Sequence, residues 1–190
     1  MIIAMHRVNT IEDLKKTPVG LGVETDLRSD GKDIILHHEP FFGNGEKLED
    51  FISRYSHEFI ILDIKSEGIE RRAIDIVENA GIKDYYLLNV NFPFIMKLAK
   101  TGFRKMSVRF SDFESADACL AMKNKADFVW VESFSKLALT KEVCKKLSRH
   151  FRLSLVSPEL YGRNEIEIYK KKLKGMDIHS VCTDYPDKWR

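Results

Sequence analysis

The feature that most constrains this chain is a regular alternation of short apolar runs with helix-like stretches. Eight runs rich in β-branched or aromatic residues start near Ile2, Val23, Phe59, Tyr85, Lys105, Phe128, Leu153 and His179. Runs of this length and composition predict buried strands. Helices are expected between them, over Thr10–Lys16, Lys47–Tyr55, Gly68–Ala80, Pro93–Lys100, Phe113–Met122, Lys141–Phe151 and Glu165–Leu173. Thr10 is placed to cap the first. In Gly68–Ala80, Ile69, Ala73, Ile76, Val77 and Ala80 share one side, Glu70, Arg71 and Arg72 the other, and Gly81 follows as a C-terminal cap. A further segment, Asp33–His37, follows the Asp30-Gly31 turn signal and reads as a hairpin arm. Eight strands alternating with helices predict an α/β chain: a compact (β/α)8 barrel formed by residues 1–190 as a single domain. Such barrels usually need about 200 to 250 residues, so the loops here must be short.

Bulk properties narrow the function. Hydrophobic residues make up 44% and charged residues 32%, an ordinary globular balance, and the net charge is only +2. That excludes the global basic field of a non-specific nucleic-acid binder. No apolar run approaches the ~18 residues a membrane span requires, and no secretory signal is visible. Cys119, Cys144 and Cys182 are odd in number and far apart. They read as small core residues in a reducing compartment, so a cytoplasmic location is expected. Oligomeric state leaves no mark on the sequence.

Ionisable residues gather where the strands finish, which in a parallel barrel is the face that carries active sites. Glu24 and Asp26 are two apart and so face the same side of an extended strand. Two carboxylates in one site repel unless a cation or proton intervenes. A hard divalent cation, Mg²⁺ or Ca²⁺, suits such oxygen ligands, and Asp63 at the end of the next core strand offers a third. The competing reading pairs Glu24 and Asp26 with Arg28 or Lys65 on a solvated loop. His6 and His37 end apolar runs on either side of the Glu-x-Asp and are candidates for moving protons. His37 is expected to face the site and His38 to point away. Arg7, Lys65 and Arg109 are candidates for holding a phosphoryl group, with a surface ion pair as the alternative for Arg109. Trp130, Glu132 and Glu159 are candidate contacts to a leaving group, against a role in barrel packing.

This order of motifs resembles the glycerophosphodiester phosphodiesterase family, within the superfamily of phosphatidylinositol-specific phospholipase C-like enzymes. The family's opening His-Arg-Gly with a following Asn-Thr is matched by His6-Arg7-Val8-Asn9-Thr10, and its Glu-x-Asp-Val by Glu24-Thr25-Asp26-Leu27. An Asp-Gly and a His-Asp are matched by Asp30-Gly31 and His37-His38, and Ile-Glu-Ile-Lys by Leu62-Asp63-Ile64-Lys65. Thr-Asp-x-Pro is matched by Thr183-Asp184-Tyr185-Pro186. The resemblance implies a metal-dependent hydrolase of small phosphodiesters. Glu24, Asp26 and Asp63 would be the metal ligands, His6 and His37 the acid–base pair, and Arg7 and Lys65 the phosphate contacts. Val8 stands where the family has glycine and is expected to crowd the loop beside the phosphate. Asp63 is one methylene shorter than the family's glutamate. Two alternatives stand beside this reading: a non-catalytic phosphometabolite-binding protein on a degenerate barrel, and a metal-free barrel enzyme such as an isomerase.

Overall fold

The computed structural model describes residues 1–41 and 44–190. In chain order the elements are β1 (Ile2–Met5), α1 (Ile11–Lys16), β2 (Gly22–Ser29), β3 (Ile34–Leu36), β4 (Glu46–Lys47), α2 (Leu48–Ile52), β5 (Ile60–Ile64), α3 (Glu70–Asn79), β6 (Tyr85–Leu88) and α4 (Phe92–Lys100). The second half continues with β7 (Ser107–Phe110), α5 (Ala116–Ala121), β8 (Phe128–Val131), α6 (Lys141–Leu147), β9 (Arg152–Val156), α7 (Ile166–Leu173), β10 (Ser180–Thr183) and α8 (Pro186–Trp189).

Eight of the strands form a parallel barrel in the order β1, β2, β5, β6, β7, β8, β9, β10, with β10 returning to β1. The weakest seam lies between β6 and β7. It is joined by one bridge, Leu87 to Met106, and by the Leu87 N–H donating to the Lys105 carbonyl at 2.9 Å. At the top of β2 the expected hairpin arm, β3, pairs antiparallel with Leu27–Ser29 and carries the short β4 on its far side.

Strand alternation decides what faces inward. On β5, Ile60, Leu62 and Ile64 pack outward against the helices, in one cluster with Val23 and Leu27 of β2 and Ala73, Ile74 and Val77 of α3. Phe59 and Ile61 turn into the barrel with Ala4, Tyr86, Leu88, Phe128, Trp130, Val156 and Cys182. Tyr86 and Phe128 stack at 4.2 Å, and the Tyr86 hydroxyl donates to Ser154 at 3.0 Å. This aromatic plug fills the barrel interior. Truncating Phe128 to alanine should cost about 3–5 kcal/mol.

Helix ends follow local chemistry. Thr10 caps α1, accepting from the Asp13 N–H at 3.0 Å, and Gly81 takes the left-handed φ of 78° that closes α3. The expected helix from Phe113 begins instead at Ala116, because the Ser115 hydroxyl accepts from the Ala118 N–H and sets the start there. Glu70, expected outside, is buried; its carboxylate turns back to accept from the Gly68 N–H at 2.9 Å. Ala80, expected on the packed side, is exposed.

Candidate functional site at the barrel mouth

The pairing of β2 with β5 builds the centre of the site. Its register sets Glu24 beside Ile61 and Asp26 beside Asp63, so the residues that alternate with the outward Val23, Leu27, Ile60 and Ile64 converge inside. One oxygen from each of Glu24, Asp26 and Asp63 lies within 4.8 Å of the other two. All three residues are buried, at 2%, 1% and 5% exposure. They sit on strands rather than a solvated loop. Arg28, a possible partner in the solvated-loop reading, instead donates to the His38 carbonyl at 2.6 and 2.9 Å and to the Lys65 carbonyl at 3.1 Å.

Neighbouring side chains hold the carboxylates in place. Asn9 donates to Asp26 Oδ2 at 2.7 Å, and its own oxygen accepts from the Asp26 N–H and the Thr25 hydroxyl. Asn89, at a left-handed φ of 56°, donates to Asp63 Oδ1 at 2.9 Å. Lys65 bridges Asp63 and Asp26 at 2.7 and 3.2 Å. The turn after β1 adds a backbone donor. Arg7 adopts φ of 55°, and its N–H reaches Glu24 Oε2 at 2.8 Å. Val8 does not crowd the site. The left-handed residue is Arg7, and Val8 points into the core at 2% exposure.

Electrostatics follow from this packing. Burial raises the Glu24 pKa well above the ordinary carboxylate value, and the charges of Asp26 and Asp63 add to it. Burial also raises Asp63, with Lys65 opposing. Lys65 loses hydration, yet Asp63, Asp26 and Glu24 raise its pKa overall. Three buried carboxylates against one lysine leave an excess of negative charge. Their all-oxygen donor set fits a hard divalent cation.

His6 stands at the edge of the triad. Its Nδ1 is 2.9 Å from Asp184 Oδ1, and its Nε2 is 4.0 Å from Glu24 Oε2. With Asp184 accepting from Nδ1–H, the lone pair lies on Nε2, on the carboxylate side. Asp184 is placed by Glu159, whose Oε1 accepts from the Asp184 N–H at 3.2 Å and from the Thr183 hydroxyl, while Oε2 accepts from Ser157. Glu159 thus braces the ends of β9 and β10. It is not on the wall of the central cavity.

That cavity, of about 230 Å³, is lined by His6, Arg7, the three carboxylates, Lys65, Asn89, Trp130, Glu132 and Tyr161 together with His38. Of the two adjacent histidines, His38 and not His37 is among the residues lining this cavity. His37 stands across from Asp26, its N–H donating to the Asp26 carbonyl at 3.1 Å, while its Nδ1 lies 3.1 Å from the Glu39 carbonyl. His38, expected to point away, is on the cavity wall. Strand alternation ends at Leu36, and Arg28 takes the His38 carbonyl with two hydrogen bonds.

Arg109 also differs from expectation. It lies off the central cavity, on the neighbouring clefts, with its guanidinium against Glu132 and, at 3.4 Å, Glu114. Glu132 further accepts from the Trp130 indole at 3.2 Å and the Tyr161 hydroxyl at 2.9 Å. Trp130 is only 5% exposed, so it forms wall rather than an open stacking surface. Asn9, Asn89, Arg28 and Asp184 are residues to which sequence reasoning gave no positioning role. Asn9 and Asp184 fall within the matched motifs, whereas Asn89 and Arg28 carry no signal of their own.

No protein-family model matches the chain, and no curated protein matches it. Solved structures do. A protein of Agrobacterium tumefaciens assigned as a glycerophosphoryl diester phosphodiesterase aligns with a TM-score of 0.72 at 15% identity, over 98% of this chain and 94% of that one. A glycerophosphoryl diester phosphodiesterase of Parabacteroides distasonis gives 0.63 at 14% identity, over 98% and 84%. The tryptophan synthase α-subunit of Pyrococcus furiosus, a mutant form, gives 0.60 at 11% identity, over 98% and 88%. At these identities the likeness is one of fold: the chain is an α/β barrel of the architecture these proteins share.

Proposed function

We propose that the chain is a divalent-cation-dependent phosphodiesterase of the glycerophosphodiester type. The observation that carries this reading is the convergence of three buried carboxylates beside a carboxylate-oriented histidine at the barrel mouth. Glu24, Asp26 and Asp63 would hold the cation, Mg²⁺ or Ca²⁺. Bound there, it would neutralise charge on the phosphoryl oxygens. His6 accepts the proton of the attacking hydroxyl or water on Nε2, and Asp184 stabilises the imidazolium that results. A second histidine returns a proton to the departing alkoxide. The register of His37 opposite Asp26 supports His37 in that role, and the place of His38 on the cavity wall makes it the rival. Arg7 and Lys65 would supply positive charge beside the phosphate, and Lys65 is the counter-ion of Asp26 and Asp63, a role a bound cation would share. The three buried, free cysteines accord with a reducing, cytoplasmic setting.

The same Lys65 contacts favour one alternative, a binding protein that takes a phosphorylated metabolite without metal. Hydrolysis separates the two. With Mg²⁺, Ca²⁺ or Mn²⁺ the protein should cleave bis-p-nitrophenyl phosphate, chelator should abolish the reaction, and p-nitrophenyl phosphate should be the poorer substrate. Absence of turnover with every cation, alongside tight metal-free binding of a phosphorylated metabolite, would establish the binding protein instead.

A further inference from the structure

Asp184 holds the Nδ1 side of His6, yet 52% of its side chain is open to solvent. An exposed ion pair is weak and orders little by itself. The aim of Asp184 must come from the main chain that carries it. Thr183, the last residue of β10, ties that chain to β1, its carbonyl accepting from the His6 N–H at 3.1 Å. The turn that follows is built on one carboxylate. Glu159 Oε1 takes the Thr183 hydroxyl and the Asp184 N–H, and the Tyr185 N–H closes on the Thr183 hydroxyl at 3.0 Å.

The other oxygen of Glu159 leads away from the cavity. It accepts from the Ser157 hydroxyl, which in turn accepts from the Trp189 indole at 2.8 Å. Ser157, Thr183 and Trp189 are all buried. An indole N–H can only donate, and a hydroxyl has one proton to give. The direction of each hydrogen bond is therefore set: Trp189 to Ser157, Ser157 to Glu159, and Thr183 and Asp184 to Glu159 from the other side. Arg163 and Lys188 border the same outer cleft as Glu159. Arg163 nevertheless donates to the Ser133 carbonyl and the Tyr169 hydroxyl, and the Lys188 ammonium lies over the Tyr185 ring. Glu159 is committed to the turn rather than to a surface ion pair. The short α8 that carries Trp189 is pinned in its turn, Lys170 donating to the Lys188 carbonyl at 2.7 Å.

We propose that Glu159 is a positioning residue for His6, acting through Asp184, and that Trp189 of α8 sets the place of Glu159 through Ser157. Glu159, Ser157 and Trp189 all lie outside the matched sequence motifs. Hydrogen-bonded partners of this kind fix the tautomer and orientation of a working histidine. The consequence for turnover rests on the phosphodiesterase reading; the orientation of the ring does not.

The test follows the His6 ring and turnover together in the full chain. Long-range ¹H–¹⁵N correlation at alkaline pH, where an imidazole is neutral, reads which ring nitrogen carries the proton. In wild type it should be Nδ1. Glu159→Ala should lose that preference, and should lower kcat for bis-p-nitrophenyl phosphate by roughly tenfold while KM and cation affinity stay within about twofold. Added to Asp184→Asn, it should slow turnover no further than Asp184→Asn alone, because the two act on the ring in series. Glu159→Gln keeps the side chain's size but turns an N–H toward one of its donors. It should move both readouts in the same direction, and it carries the test if Glu159→Ala melts early. Trp189→Phe, which keeps a buried ring and removes the N–H, should do the same by a smaller factor; no change in either readout would overturn the Trp189 half. A wild-type ring protonated on Nε2, a Glu159→Ala ring unchanged on Nδ1, or rate losses of Glu159→Ala and Asp184→Asn that multiply would each overturn the proposal and leave Glu159 a brace of the fold alone. If wild type cleaves no diester with any cation, the phosphodiesterase reading fails, and the ring measurement by itself still decides the positioning.

Discussion

The two halves of the barrel mouth are built from the same strand ends and carry opposite chemistry. On the β1, β2 and β5 side the inward positions at the top are His6, Glu24, Asp26 and Asp63, held by Asn9, Asn89 and Lys65. Across the barrel, on β6, β8 and β9, the inward positions are Leu88, Trp130 and Val156, all buried. The first half spends buried charge, which is unfavourable unless balanced. The second half supplies the apolar wall that makes that charge hard to solvate. Under the proposed function, one side would act on a phosphoryl group and the other would receive what is attached to it.

The largest effects should come from breaking the charged half. Asp26→Asn and His6→Ala should each lower diester turnover by roughly 10²-fold or more, the usual scale for losing a proton-transfer group. Cation affinity tells the two apart, since Asp26→Asn should weaken it and His6→Ala should leave it near wild type. Among the adjacent histidines, His37→Ala is expected to cost more than His38→Ala in kcat; the reverse order would move the role to His38. Asp184→Asn should cost about tenfold, less than His6 itself, because it removes only the orientation of the ring. Its pH–rate profile should shift where a purely structural change would lower the rate evenly. On the apolar half, Trp130→Phe should change KM more than kcat, because it alters the wall and leaves the carboxylates alone.

The charged half also sets a pH dependence. Burial, with Asp26 and Asp63 as neighbours, raises the folded-state pKa of Glu24 above its unfolded value, and burial raises Asp63 in the same direction. A raised carboxyl favours the folded state below the unfolded pKa, and that contribution is lost as pH rises through the raised value. Without divalent cation the melting temperature should therefore fall as pH rises above the ordinary carboxylate range. Added cation should reverse the fall at the upper end by about 2.7 kcal/mol at a hundredfold excess over Kd, and should do little at the acid end. Glu24→Gln should flatten the profile.

The barrel was legible because its eight strands are short β-branched or aromatic runs, seven of them followed by a helix-like stretch, and all eight starting points hold to within about two residues, as expected of periodic segments. The shared face of Glu24 and Asp26 followed from strand periodicity alone. What the sequence concealed depends on where strands stop. His38 lies one residue further beyond the last paired position of β3 than His37, and a carbonyl clamp from Arg28 rather than alternation governs that stretch. Arg109 carries a plausible charge for phosphate, but its partners Glu114 and Glu132 come from the segments after β7 and β8, and no spacing rule links them. The short α8 is not among the expected helices, and it forms where Trp189 packs inward and donates to Ser157 at 2.8 Å.

The most direct measurement is calorimetric titration of Mg²⁺ and Ca²⁺ into the full chain at neutral pH, in two buffers of different ionisation enthalpy, for wild type and Asp26→Asn. The account predicts one binding event per chain for wild type, with any proton released to the buffer following from the lowering on binding of a Glu24 pKa that burial raises, and loss of that event in the variant. Absence of binding, or binding that Asp26→Asn leaves unchanged, would contradict it.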